Sequence, residues 1–327
     1  MKRFRGPTIA AVKVAASAAL LWFALQLADP ADVLRRISEL NPALALAPLL
    51  VLAGQVVVAA WRWKLVAKTA GTTIPYWPGL SALFVSAFFN QAMISVIAGD
   101  GFRIWWVRRW TTSTVTAVLT VFLDRLVGII GLLIIVVASL PFLLPLLPND
   151  DVRLGALVAV ATVAAPIVIV LLLPLLRRPA IRRAWLASLW DIAGSSRHLT
   201  GDTRGYVSAI MSVAIHLVSG VAVWMLAAAL GIEVKLWWCL VLVPPVILMS
   251  MLPISIAGWG VREVAMINAF GFVGLARDEA LALSVTFGLA LVAATAIGGI
   301  LWAAKGWSSG GKYGTLSNRS ARDDPAH

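Results

Sequence analysis

The sequence predicts an all-α polytopic membrane protein with about six full transmembrane helices and two re-entrant elements of opposite orientation, in an inverted-repeat architecture. Three observations predict it. Of 327 residues, 61% are apolar and only 13% charged, with a mean hydropathy of +0.91; soluble domains run ~45–50% and ~25%. Lysines and arginines fall unevenly between the apolar stretches. One short motif occurs twice.

The apolar stretches are residues 8–28, 43–61, 80–98, 113–140, 154–176, 207–230, 236–252, 260–273 and 280–304. A helix needs ~20 residues to cross ~30 Å of hydrocarbon. Segment 8–28 follows Lys2, Arg3 and Arg5 as a signal peptide would. Lys13 interrupts it and no small-x-small cleavage site follows, so it reads as a first span with Lys13 snorkelling to the interface. Segments 43–61, 113–140, 154–176, 207–230 and 280–304 complete six spans. Segment 80–98 holds Asn90 and Gln91 and ends in Ala98-Gly99-Asp100-Gly101. Segment 236–252 carries Pro244-Pro245, and 260–273 is short and opens Gly260-Val261-Arg262-Glu263.

Charge decides how these last three segments cross. Of the 27 Lys and Arg, 19 lie in the N-terminus and in 62–79, 99–112, 177–206 and 305–327. Five lie in 29–42, 141–153, 231–236 and 274–279. The positive-inside rule places the first set in the cytoplasm, with both termini. Segment 80–98 then joins two inside loops and must enter and return. The pair 236–252 and 260–273 must do so from the outside. Moving 99–112 outside would let 80–98 span, at the cost of exporting the Arg-rich loop 177–206.

The repeated motif falls at these same places. Ile97-Ala98-Gly99-x-Gly101-x-Arg103 matches Ile256-Ala257-Gly258-x-Gly260-x-Arg262, within 94–103 and 253–262. Similar sequence in opposite orientation marks an inverted repeat, whose interrupted segments point to a substrate site. A Gly-x-Gly break before a new helix presents N–H donors and the positive end of the helix dipole. Arg103 and Arg262 each follow by two residues with a planar fork suited to phosphate. The alternative is that they only pair with Asp100 and Glu263.

Asp124 and Arg125 sit inside a span, where a charge costs ~2.5–3.5 kcal/mol on insertion scales. Adjacent residues point ~100° apart, so each seeks a partner elsewhere. Arg125 is expected to meet Glu263 or Asp100, and Asp124 to meet Arg262. With Glu263 these form either an ion-pair and coupling network or a structural clamp. His216 reads as a hydrogen-bonded interior histidine. Asn90 either satisfies freed backbone or lines a headgroup cavity. Trp61-Arg62-Trp63-Lys64, and the Trp and Arg residues of 103–110, read as interfacial anchors. The 177–183 arginines with Trp185 and Trp190 read as a surface helix, and 305–327 as a disordered cytoplasmic tail beyond a membrane domain of 1–304.

Other chemistries lack their residues. Gly311-Lys312 is followed by Tyr313, so no phosphate-binding loop forms. Cys239 is the one cysteine, and His198, His216 and His327 share no metal-ligand spacing. No metal, cofactor or catalytic residue is assigned. The net charge of +12 belongs to lipid-facing loops and not to nucleic-acid binding.

Phe88-Phe89-Asn90, Gly99-Asp100-x-x-Arg103, Asp124-Arg125-Leu126-Val127-Gly128 and Pro253-x-Ser255-x-x-Gly258-x-Gly260-Val261-Arg262-Glu263 together resemble the lysylphosphatidylglycerol synthase transmembrane region, also called the flippase-like domain family. The resemblance covers about residues 10–305. Two departures stand out: Asp124 replaces a glutamate found in many members, and Ala98 replaces a common glycine. Bifunctional members carry a cytoplasmic aminoacyl-transferase domain after the membrane region. With about 23 residues after the last helix, that activity is not expected here. The resemblance implies a lipid translocator for an anionic phospholipid or lipid-linked glycan, passive or ion-coupled and not an enzyme, in the cytoplasmic (inner) membrane. The implied alternative is a non-translocating subunit that presents lipid to a separate transferase. The residues expected to bind headgroup are Asn90, Gly99, Asp100, Gly101, Arg103, Gly258, Gly260 and Arg262, with Asp124, Arg125 and Glu263 as the ion-pair set.

Overall fold

The computed structural model describes residues 5–92, 96–111, 113–173, 194, 201–251 and 255–305. Among these residues the ordered elements are all helical: α1 (Arg5–Gln26), α2 (Pro30–Ser38), α3 (Pro42–Thr69), α4 (Tyr76–Ala92), α5 (Val96–Val107), α6 (Thr114–Leu143), α7 (Asp150–Leu172), α8 (Thr203–Ala229), α9 (Leu236–Ser250), α10 (Val261–Gly271) and α11 (Arg277–Lys305). The surface helix expected at 177–183, the side chain of Lys13 and the tail from 306 lie outside the described residues.

Five helices (α3, α6, α7, α8 and α11) are long and apolar enough to span. A sixth span arises if Val14–Gln26 and α2 count together, across a 91° bend. Asp29 makes that bend: its carboxylate accepts the Ala31 N–H at 2.8 Å, and Pro30 starts the new helix. Arg36 of α2 reaches Asp278 at 2.7 Å and Glu279 at 3.4 Å at the start of α11.

The repeat is larger than its motif. Helix α3, the glycine that stops it, the hairpin α4–α5 and helix α6 recur as α8, Gly231, α9–α10 and α11. Gly71 and Gly231 close their helices identically, with φ +78° and +69°. Thr72 N–H donates to Ala67 O, and Ile232 N–H to Ala227 O. Packing follows the same symmetry. Helix α4 lies on α11 and α9 on α6; α6 lies on α8 and α11 on α3. The halves run in opposite directions. Asn41 N–H, at the start of α3, donates to Ala229 O at the end of α8, while Arg62, near the end of α3, meets Ser212 early in α8.

Helices α4 and α5 pack on each other, and Thr72 Oγ1, before α4, donates to Trp110 O after α5 at 3.3 Å. The chain therefore returns to the level at which it entered, as an in-and-out hairpin does. Pro244-Pro245 do not break α9, which runs unbroken from Leu236 to Ser250.

Candidate functional site

Asp124 sits on α6, 2% exposed, between two arginines. Arg62 of α3 donates from Nε to Oδ1 at 2.9 Å, and Arg103 of α5 from Nη2 to Oδ2 at 2.6 Å. Arg62 also donates from Nη1 to Ser212 Oγ of α8 at 2.9 Å, so this centre joins three helices of one half to one of the other. Arg103 lies over the Trp63 ring, 4.2 Å from its centroid. Its Nη1 is 3.8 Å from Asp100 Oδ1. Asp100 in turn takes a two-pronged pair from Arg125, Nε to Oδ2 at 2.9 Å and Nη2 to Oδ1 at 2.8 Å.

Among the described residues, three guanidiniums thus face two carboxylates, an excess of one positive charge. The Asp124 end is sealed, whereas the side chains of Arg125 and Asp100 remain 38% and 23% exposed. Among the described residues, Arg103 Nε, Trp63 Nε1 and Asn90 Oδ1 are buried without a hydrogen-bond partner. Behind this centre His216 Nε2 lies 3.1 Å from Gly128 O; a carbonyl only accepts, so Nε2 carries the proton.

The second motif builds a different centre. Arg262 Nε and Nη2 both donate to Glu263 Oε1, at 3.1 and 2.8 Å, and Ser284 Oγ of α11 donates to the same oxygen at 3.1 Å. Glu263 Oε2 accepts the Gly260 N–H at 2.5 Å and so caps α10. Arg262 lies over Trp259 at 4.5 Å, against Gly288, where a Cβ would collide with Nη2. Charge here balances, and both residues are buried.

Several expectations need correction. The Gly-x-Gly break holds only in the second copy, where Ala257, Gly258 and Gly260 take φ of +49°, +81° and +88° and α10 starts at Val261. In the first copy, α5 begins at Val96, so Gly99, Asp100 and Gly101 lie within the helix and expose no helix start. Asp124 does not pair with Arg262; α3 and α5 supply its partners. Arg125, expected to meet Glu263 or Asp100, does pair with Asp100. Of the two readings open for Arg262, the pairing one is seen: its fork folds onto its neighbour Glu263. Arg62 is not an interfacial anchor, being 9% exposed, and Trp63 is fully buried; Trp61 is exposed, with Lys64 Nζ 5.2 Å from its ring. Arg62 is the site residue that sequence reading missed. Its flanking tryptophans imitate an interface, and only the length of α3, which runs on to Thr69, signalled a deeper position.

An antiparallel helical repeat with in-and-out hairpins and a buried charged centre defines a multi-pass membrane protein with a polar site inside its membrane domain. The family model described as lysylphosphatidylglycerol synthase TM region matches residues 10–299, and the chain belongs to that family. Membership ties it to lipid-related function and to the membrane region of such proteins, not their transferase domain. No curated protein matches the chain.

Proposed function

We propose that the chain is a lipid translocator that moves an anionic phospholipid or a lipid-linked glycan between leaflets, passively or coupled to an ion. The observation that carries this reading is the uncompensated positive charge of the Arg62–Asp124–Arg103 and Asp100–Arg125 centre. Buried excess charge attracts a counter-charge, and in a bilayer that is the headgroup phosphate. Asn90, Gly99 and Gly101 flank it, and acyl chains stay in the bilayer. Glu263 and Arg262, with Gly258 and Gly260, form the matching centre of the other half. Asp124, Arg125 and Glu263 hold the ion pairs that rearrange. The distribution of Lys and Arg supports a cytoplasmic membrane location with both termini inside.

The closed Arg262–Glu263 pair favours a second reading. If only one half ever binds, the chain presents lipid to a separate lipid-modifying transferase and does not exchange it.

Leaflet exchange of fluorescent phospholipids in reconstituted liposomes separates the two. Translocation requires exchange by the wild type that falls in both Arg103→Ala and Arg262→Ala, with folding verified. Absence of exchange across anionic and glycosylated probes leaves the presenting role.

A further inference from the structure

We infer that a phospholipid docks in a lateral groove along α5 and α6, with its phosphate on Arg125 and an acyl chain along Val115, Val118 and Phe122. The inference rests on the reading of this chain as a lipid-binding protein, but not on leaflet exchange.

The groove follows from one face of α6. Val115, Val118, Phe122 and Arg125 recur at spacings of three and four, so they share a face. The three apolar residues are exposed, Val115 64%, Val118 40% and Phe122 37%, and Arg125 is partly buried with its side chain 38% exposed. Arg125 comes 11 residues after Thr114, roughly 16 Å along α6 and near the middle of this 30-residue membrane-spanning helix. A partly exposed ion pair in the middle of a span is unfavourable against hydrocarbon and calls for a polar occupant. Asp100 engages Nε and Nη2 of Arg125, and Nη1 still carries donors for an anion. Gly101 lies beside Asp100 on α5, with open space where a side chain would project. The sealed excess charge behind it selects the sign of the occupant.

The other half supplies an internal comparison. Counted through the motif, the positions matching Phe122 and Arg125 are Leu281 and Ser284, which are 1% and 0% exposed. At these two positions the face is covered in one half and open in the other, whereas Gly274 and Arg277, which match Val115 and Val118, are exposed as those residues are. Helix α7 gives a second comparison. Beyond its charged first turn, Asp150–Arg153, its outward face, including Val158, Ile169 and Leu172, is exposed and apolar, as a surface meeting unselected lipid should be.

The test uses the full chain in nanodiscs with two photoactivatable lipids, a phosphatidylglycerol and a phosphatidylcholine, each bearing a diazirine on one acyl chain. Adducts are mapped by mass spectrometry. The 115–122 stretch should take about fivefold more of the anionic probe, as one net charge facing the headgroup implies, while α7 takes both equally. Arg125→Gln should bring the two probes to parity on α6. Val118→Trp fills the stripe and keeps the charge, so it should lower adducts of both probes there. Equal labelling of α6 and α7 by both probes means surrounding lipid only, and overturns the proposal. Parallel liposome assays keep the two claims apart. Selective labelling without exchange upholds the groove and removes translocation; exchange without selective labelling does the reverse.

Discussion

Gln55 donates from Nε2 to the carbonyl of Ile215 at 3.0 Å, and Ile215 is the residue that matches Gln55 in the second half. A contact between a position and its own counterpart lies on the axis relating the two halves, as it does in a two-fold dimer. The same amide nitrogen reaches Ser219 Oγ at 3.0 Å. Gln55→Leu should therefore loosen the α3–α8 seam by about 0.5–2 kcal/mol, the usual worth of a hydrogen bond between membrane helices. Unfolding in mixed micelles measures this, and unchanged stability would mean that packing alone holds the seam.

Asp124 neutralises two buried arginines, so its loss should be the most damaging of the charge deletions. Asp124→Ala is expected to cost about 3–5 kcal/mol. Arg62→Ala removes one of the two arginines and should soften that loss when combined with it. A double-mutant cycle on Arg62 and Asp124 reads the coupling; additive effects would contradict the bonded geometry.

Glu263 and Ser284 share one oxygen's contacts, yet they should differ in consequence. Glu263→Gln leaves Arg262 buried beside a neutral partner, with an expected loss of about 3 kcal/mol or more. Ser284→Ala removes one hydroxyl donor and should cost about 1 kcal/mol. Thermal unfolding of the two variants side by side decides it.

Three glycines separate close packing from open space. A Cβ on Gly99 would collide with the Ser86 carbonyl, and one on Gly298 with the Phe84 carbonyl where α11 crosses α4. Alanine at either should destabilise by about 1–3 kcal/mol. Gly101 meets nothing within 4 Å, so Gly101→Ala should be neutral or stabilise α5 by about 0.5–1 kcal/mol. Any lipid-binding defect in Gly101→Ala would then be a local effect and not one of folding.

Arg36 ties α2 to α11 in a partly exposed setting. Arg36→Ala should cost under about 1 kcal/mol, and raising salt should shrink the difference further. A larger, salt-insensitive loss would mean that the contact is drier than its exposure indicates.

Much of the architecture was legible along the chain. Six long apolar stretches fall on α1, α3, α6, α7, α8 and α11, and the awkward segments fall on the two hairpins. The motif located the repeat but understated it. Helices α3 and α8 match by length and by their closing glycines, while sharing too few side chains to be seen as copies. The second motif's break was legible because Gly258 and Gly260 take conformations that other residues avoid. The first motif's was not, since glycines inside a helix look the same in sequence. Arg62 was misread because Trp-Arg-Trp-Lys is the composition of a membrane boundary, and burial leaves no local mark.

The sequence by itself determined that this chain lives in a bilayer, which segments span, and where its two related motifs fall. Those properties follow from hydropathy, length and loop charge, which add up residue by residue. Tertiary structure decided who pairs with whom. Asp124 could have met any arginine that folding brought near; helices 62 and 21 residues away in sequence supplied both. It also decided that one half seals its arginine with the adjacent glutamate while the other leaves an arginine open to the side. Pairing and exposure depend on which helices cross, and crossing is a property of the packed whole.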